Sequence, residues 1–284
     1  MIFSPYDNAS SGDESIGLLV FAISLFPIIL PSATIQPFNV GYVNKSVASG
    51  DRAMRAAATF LPVTGTAGDV TLGDIKQVGG YVSAFTLTTY DDNVTSQNEY
   101  WYFDEESAGD AEIEAGWYEL TEDEDGNIVP NIEKGVQNNA SLPLGQGCVI
   151  VSIDDDTQYT SAGAVDSIVR EFSIPSGARK MTGNVLPVTL KLGQIKQVGG
   201  YVSAFTLTTY DNNVTSQNEY WYFDEEAASD AEIEVGWYEL TEDEDGNIVP
   251  NIEKGVQNFD VAPGEGFVVV SIEDSATLQF PKAY

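Results

Sequence analysis

The sequence predicts an all-β protein: two tandem antiparallel units, each sandwich-like or barrel-like, preceded by an apolar N-terminal segment. Three observations predict it. A long stretch recurs almost unchanged 120 residues further on. The recurring stretch is rich in short runs of aromatic and β-branched residues. Those runs are separated by Gly, Asp and Asn in turn-forming order.

The segment 1–33 comes first. Ile16 to Leu30 is a continuous apolar run of the length of an export-signal core, and it is short for a membrane span. Pro31-Ser32-Ala33 supplies a small-residue cleavage site. Against export, the preceding residues carry Asp7, Asp13 and Glu14 and no Lys or Arg, and Pro27 and Pro31 break a helix. Two expectations stand together: a signal that is removed, or a retained strand. In the second, Ile16, Leu18, Val20, Ile23 and Leu25 are the assembly residues, packing into this subunit or a neighbouring one.

The repeat organises the remainder into residues 34–165 and 166–284. Ile75-Lys76-Gln77-Val78-Gly79-Gly80-Tyr81 recurs as Ile195 to Tyr201. The match continues to Asn138 and Asn258, with only Asp92/Asn212, Ser107/Ala227, Gly109/Ser229 and Ala115/Val235 differing. Each unit is as long as a small domain, which predicts beads on a chain rather than a solenoid of short units. Within one unit, strands are expected at Val82 to Tyr90, Glu99 to Phe103 and Gly116 to Leu120, and the apolar run Val149 to Ile153 is expected to be central and buried. Asp51 to Phe60 has a helical composition. Its counterpart Ala178 to Val185 contains Gly183 and Asn184, so both are read as extended. A short helix is expected within Ser107 to Glu114, and Gly79-Gly80 is read as a flexible turn.

Composition removes whole classes of function. The chain has 44 Asp and Glu against 12 Lys and Arg, a net charge of −32. That field repels phosphate backbones and anionic lipid, so no nucleic-acid partner is expected. No stable membrane span is expected in the mature protein either. A 43% hydrophobic content still suffices for packed cores, which excludes a disordered chain. Histidine is absent, which excludes Ser-His-Asp and Cys-His catalysis and His-ligated zinc. The single cysteine, Cys148, lies in the run Cys148-Val149-Ile150-Val151 and is expected to be a buried small hydrophobe.

The motifs Leu72-Gly73-Asp74-Ile75, Gly116-Trp117-Tyr118 and Pro263-Gly264-Glu265-Gly266-Phe267 resemble the units of a loose group of secreted bacterial tandem-repeat β proteins, common in Verrucomicrobia-like bacteria. The resemblance covers most of residues 40–284 and implies export and tandem β domains, with no activity and no catalytic residues to carry over. Gln146 and Cys148 in the first copy and Gln194 in the second depart from the group's pattern, as positions that shape turns and cores would.

Two constellations remain as binding candidates. The acidic turn Thr121 to Asn127 and its copy Thr241 to Asn247 suggest calcium as a cofactor, through Asp123, Asp125, Asp243 and Asp245, with Asp104, Glu105 and Glu106 completing an irregular site. The turn does not fit an EF-type loop: with Gly126 sixth, positions one and twelve become Thr121 and Ile132. Its alternative is a solvated hairpin turn. Trp101, Trp117, Trp221 and Trp237 suggest stacking platforms for an extracellular polysaccharide, against the alternative of core filling. The resulting expectation is a non-enzymatic structural protein, secreted or on the cell surface, that forms a homo-oligomer or polymer. The other class is a secreted carbohydrate-binding or adhesion module.

Overall fold

Alternation and turn chemistry become strands in the computed structural model, which describes residues 39–56, 70–91, 93–153, 155–165 and 168–283. The first repeat contains β1 (Asn39–Val47), β2 (Arg52–Ala56), β3 (Val70–Thr71), β4 (Ile75–Val78), β5 (Phe85–Tyr90), β6 (Ser96–Phe103), β7 (Gly116–Glu122), β8 (Ile128–Pro130), β9 (Ser141–Leu142), β10 (Gly147–Ser152) and β11 (Thr157–Val165), with one short helix, α1 (Glu105–Asp110). The second repeat follows the same series. It runs β12 (Arg170–Ile174), β13 (Arg179–Gly183), β14 (Leu190–Lys191), β15 (Lys196–Val198), β16 (Phe205–Tyr210), β17 (Ser216–Phe223), β18 (Gly236–Glu242), β19 (Ile248–Pro250), β20 (Asp260–Val261), β21 (Gly266–Ser271) and β22 (Ala276–Phe280), with α2 (Glu225–Asp230).

In the first repeat a three-stranded sheet, β1-β11-β4, accompanies a six-stranded sheet, β2-β10-β5-β6-β7-β8, and a small β3-β9 pair. The second builds β12-β22-β15, β13-β21-β16-β17-β18-β19 and β14-β20. All of these pairings are antiparallel. Among the described residues no helix is long and apolar enough to cross a membrane.

Each repeat closes a core between its two larger sheets. Val47, Ile75 and Tyr159 of the three-stranded sheet meet Ala53, Phe85, Leu87, Cys148 and Ile150 of the six-stranded one around Trp117. Alternation explains the choice: Phe85 and Leu87 point inward and are fully buried. Trp117 is also fully buried, and its indole Nε1 donates to the carbonyl of Ile75 at 2.8 Å, which ties β7 to β4. Trp237 and Ile195 repeat the bond at 2.7 Å.

The continuous apolar run on β10 has a different cause. Ile150 faces its own core, whereas Val149 pairs with Met54 and Thr88 on the opposite face. That outer face packs on the second repeat, where Met54 and Val149 join Met181 and Val268, with Tyr90, Val94, Tyr210 and Val214 around them. Residues Phe38–Tyr284 therefore form one compact unit, and the expectation of separate beads is corrected. A sheet apolar on both faces cannot leave one of them in water.

The contacts are reciprocal. Gly147 lies against Met181, and Gly266 lies against Met54. Gly147 and Gly266 open equivalent strands, and Met54 and Met181 sit in equivalent registers opposite Val149 and Val268. Such exchange is the signature of an approximate two-fold relation. The seam also carries main-chain bonds: Arg52 N–H donates to the Asn212 carbonyl at 2.6 Å, and Ala56 N–H to the Gly264 carbonyl at 3.0 Å.

Local expectations fare differently. Arg52–Ala56 and Arg179–Gly183 are strands, as the comparison of the two copies required. Val82–Ala84 forms a 3-10 turn and the strand starts only at Phe85. The helix starts two residues earlier than expected, because the Asp104 side chain caps it by accepting from Ser107 N–H at 2.8 Å. Ile153 falls beyond β10 and is half exposed. The segment 1–33, with Ile16, Leu18, Val20, Ile23 and Leu25, lies outside the described residues.

Candidate functional site

Each repeat carries the same open cleft beside its short helix. In the first, Gln77 from β4, the Gly79-Gly80 turn, Tyr81, Tyr102 from β6, and Asp104, Glu106 and Asp110 of the helical segment enclose about 250 Å³. In the second, Gln197, Gly199-Gly200, Tyr201, Tyr222, Asp224, Glu226 and Asp230 enclose the same volume, about 250 Å³.

The local sequence builds this shape. Gly79 and Gly80 turn the chain at φ of 77° and 67°, values that glycine adopts without a Cβ penalty. The turn is pinned rather than flexible: the Gly79 carbonyl accepts from Gln77 Nε2 at 3.0 Å and from Thr157 Oγ1 at 2.9 Å. Tyr102 forms the wall between cleft and core, its ring 5.1 Å from that of Trp117. Burial raises its phenol pKa, and Asp104 and Glu105 add to the rise.

The Gln77 side chain is over nine-tenths buried. Its Nε2 is spent on Gly79, and among the described residues its Oε1, itself sealed from solvent, has no hydrogen-bond partner. Gln197 repeats the arrangement, with Nε2 on Gly199 at 3.1 Å and Oε1 again without a partner among the described residues.

The two clefts differ by one hydroxyl. Ser107 Oγ donates to Asp104 Oδ1 at 2.6 Å, whereas the corresponding residue of the second repeat is Ala227. That hydroxyl is the leading cause of a lowered Asp104 carboxyl pKa, followed by the Ser107 backbone N–H. Ser107→Ala is expected to raise the Asp104 pKa towards the ordinary carboxylate range. A carboxyl depressed by folding contributes stability above its unfolded pKa and loses it as pH falls through the folded value. The variant should therefore shed less stability on acidification. Carbon-detected NMR titration checks both statements.

The residues singled out from sequence lie elsewhere. Trp117 and Trp237 are fully buried, so neither can stack on a ligand, and that expectation is corrected for both. The core had first claim on the largest apolar side chains. Trp101 and Trp221 are half-buried and pack with Phe103 and Phe223 respectively, and Trp101 Nε1 donates to Thr86 Oγ1 at 3.3 Å.

The acidic turn closes the β7–β8 hairpin. Asp123 Oδ1 accepts from Asp125 N–H at 2.9 Å and Asn127 N–H at 2.8 Å, and Asn127 Nδ2 bonds both carboxylate oxygens. These bonds, led by that from the Asn127 side chain, lower the Asp123 pKa, and Asp243 behaves alike. Gly126 takes φ of 81° in the same turn. Asp123 and Asp125 do not line the cleft, whereas Asp104 and Glu106 do. Among the described residues no three acidic or cysteine side chains converge as a metal site.

Cys148 is buried, and desolvation pushes its thiol pKa up to about 12. Alkylation by iodoacetamide at pH 8 should proceed only as fast as the protein unfolds, a rate read by mass spectrometry with and without urea. Reaction in native buffer at the rate of a free thiol would contradict the buried placement.

Sequence reasoning named the Gln77 to Tyr81 run only as part of the repeat. A signal was present: Gln77 shares the inward parity of Ile75 on β4, and a polar side chain on a core face marks an interior polar site. No protein-family model, curated protein or solved structure matches the chain.

Proposed function

We propose that this chain is a non-enzymatic extracellular structural protein, the subunit of a surface layer, filament or matrix. One observation carries the reading. Two complete cores are locked face to face by reciprocal contacts between Gly147 and Met181 and between Gly266 and Met54, giving a stiff two-repeat block. Many two-domain enzymes close a mobile cleft between their halves over the substrate. Here the middle of the seam is packed with valine, methionine and tyrosine, and a cleft of about 200 Å³ lined by Lys45, Arg55, Asp211 and Glu265 opens beside it.

Further features agree. Apolar side chains stand half exposed at equivalent places in both repeats: Val78 and Val198, Ile128 and Ile248, Ile132 and Ile252. β8 and β19 are terminal strands of their sheets, the geometry through which strands of neighbouring subunits add.

Assembly of a block with a charge of −32 must work against self-repulsion. The expected result is therefore salt-dependent. Light scattering should show a monomer at low ionic strength and growing oligomers as the screening length falls to about 10 Å near 0.1 M. Ile128→Asp with Ile248→Asp should abolish growth. A monomer at every concentration and salt level would remove the proposal.

A further inference from the structure

We propose that the cleft beside the seam is a receptor for a carboxylate group, gripped by Lys45 and Arg55, so that one chain binds one such group. The cleft encloses about 200 Å³ between β1 and β2 of the first repeat and the end of β16 and start of β21 of the second. Two cations line it, in a chain where acids outnumber bases 44 to 12.

The carboxylates of its own walls are engaged elsewhere. Asp211 Oδ1 accepts from the N–H groups of Asn213 and Thr215, both at 2.9 Å, and its Oδ2 accepts from Gln217 Nε2 at 3.1 Å. Glu265 Oε2 accepts from Ala262 N–H at 2.7 Å. Among the described residues no carboxylate comes within ion-pair distance of Lys45 or Arg55. Lys45 is partly buried, and its ammonium pKa is lowered, by desolvation first and by the Arg55 guanidinium second, with Glu265 opposing them only third. Two like charges held together away from bulk water repel, and an anion between them turns that repulsion into attraction.

The second repeat supplies an internal comparison. Phe172 is the counterpart of Lys45: they pair with Leu278 and Tyr159, which stand opposite Gln197 and Gln77. Thr182 is likewise the counterpart of Arg55, since they pair with Phe267 and Cys148. On that side the Phe172 ring closes the space against the first repeat, and a Cβ on Gly145 would lie 2.6 Å from it. One architecture is therefore plugged by an aromatic ring in one place and left open, with two cations, in the other. Packing does not demand the open form, because its mate does without it.

Charge and lining narrow the anion. Asp211, Glu265 and the net charge of −32 disfavour a second negative charge, which selects a monoanion over a phosphate or sulfate dianion. A carboxylate offers two oxygens, one for the ammonium and one for the guanidinium. Ala53, Met54, Tyr210 and Ala262 suit a short carbon tail. Two sources present that chemistry: a free short-chain organic acid, and an Asp or Glu side chain of a neighbouring copy. The second rests on the assembly reading above, and the first does not.

Calorimetry of the full chain with sodium butyrate at constant ionic strength tests the proposal. The expected result is one butyrate per chain, bound about tenfold more weakly or worse in Arg55→Leu and not at all in Lys45→Phe. The second variant copies the packing that Phe172 already provides, so its fold should survive. Butyrate should also slow acylation of Lys45 by a succinimidyl ester, read by mass spectrometry, and leave the exposed Lys76 unaffected. Butyrate binding that survives Lys45→Phe would overturn the proposal, as would no binding at millimolar butyrate. Equal binding of neutral n-butanol, or of inorganic phosphate, would overturn it as well.

A peptide of the turn Glu122 to Asn127, blocked at both ends, separates the two sources. Tighter binding of the peptide than of butyrate assigns a neighbouring copy, and Lys45→Phe should then also stop the growth seen by light scattering. Tighter binding of butyrate, with growth unchanged in Lys45→Phe, assigns the free acid. A monomer at every salt level would remove the assembly reading and leave butyrate binding standing.

Discussion

Trp117→Ala is expected to destabilise the protein by about 3–5 kcal/mol, a large share of the ~5–15 kcal/mol that holds an ordinary domain folded. Several losses combine at this one residue. The side chain is fully buried, so its removal leaves a cavity at the centre of the first core. Its Nε1 is the donor at 2.8 Å to the Ile75 carbonyl, which the substitution leaves without that bond. Its ring also supports Tyr102 at 5.1 Å and Phe85 at 6.4 Å.

The effect should therefore reach the cleft, through the wall that Tyr102 forms. Trp237→Ala should cost as much, since its bond to Ile195 and its contact with Tyr222 at 5.1 Å match those of Trp117. Trp101→Ala is the contrast. That ring is only half-buried, with one bond at 3.3 Å to Thr86, and about 1–2 kcal/mol is expected. Urea unfolding of the three variants gives the comparison. Equal losses at positions 101 and 117 would contradict the division into surface and core tryptophans.

That division shows where sequence reasoning reached its limit. Alternation located the strands, because Phe85, Leu87 and their equivalents needed only a period of two to be assigned inward. The comparison of copies settled Arg52–Ala56, whose alanine-rich neighbourhood looks helical alone. What alternation could not supply was the function of the outer face. Thr88 reads as a solvent-facing position beside Leu87, yet it is buried at 5% exposure, since its face of the sheet meets the second repeat. The apolar doublet of Val149 and Ile150 was the available sign of a sheet covered on both sides, and it pointed to depth without naming the neighbour.

The clefts were hidden for another reason. Tyr81 and Tyr102 are separated from Asp110 by strand pairing and by a 3-10 turn, and no spacing rule joins them. Aromatic identity was a poor guide by itself. Two of the four tryptophans, Trp117 and Trp237, were drawn into the core, and Tyr81 and Tyr102, each carrying a polar hydroxyl, were left at the cleft wall.

Gly147→Ala and Gly266→Ala test the docking directly and should each destabilise by about 1–3 kcal/mol through overpacking. A Cβ on Gly147 would lie 2.7 Å from the backbone carbonyl carbon of Met181, and one on Gly266 would lie 2.6 Å from that of Met54 and 2.7 Å from Arg55 N. Backbone cannot swing aside as the end of a flexible side chain can, so the two sheets must separate. The usual gain from Gly→Ala, about 0.4–1 kcal/mol through the unfolded chain, offsets only part of this. Gly109→Ala supplies the control. Beyond its chain neighbours and its own helix backbone no described atom lies within 4 Å of its added Cβ, it is in a short helix, and substitution there should stabilise.

The interface variants should also change the form of the transition. Met54, Val149, Met181 and Val268 couple the two cores, so the wild type is expected to melt in a single calorimetric step. Opening the seam should split that step in two, as each repeat keeps its own core. The two glycines share one seam, so the second substitution should cost less than the first, a coupling that a double-mutant cycle reads. Fully additive losses together with two melting steps already in the wild type would mean that the repeats do not hold each other, and the stiff block on which assembly depends would be lost with them.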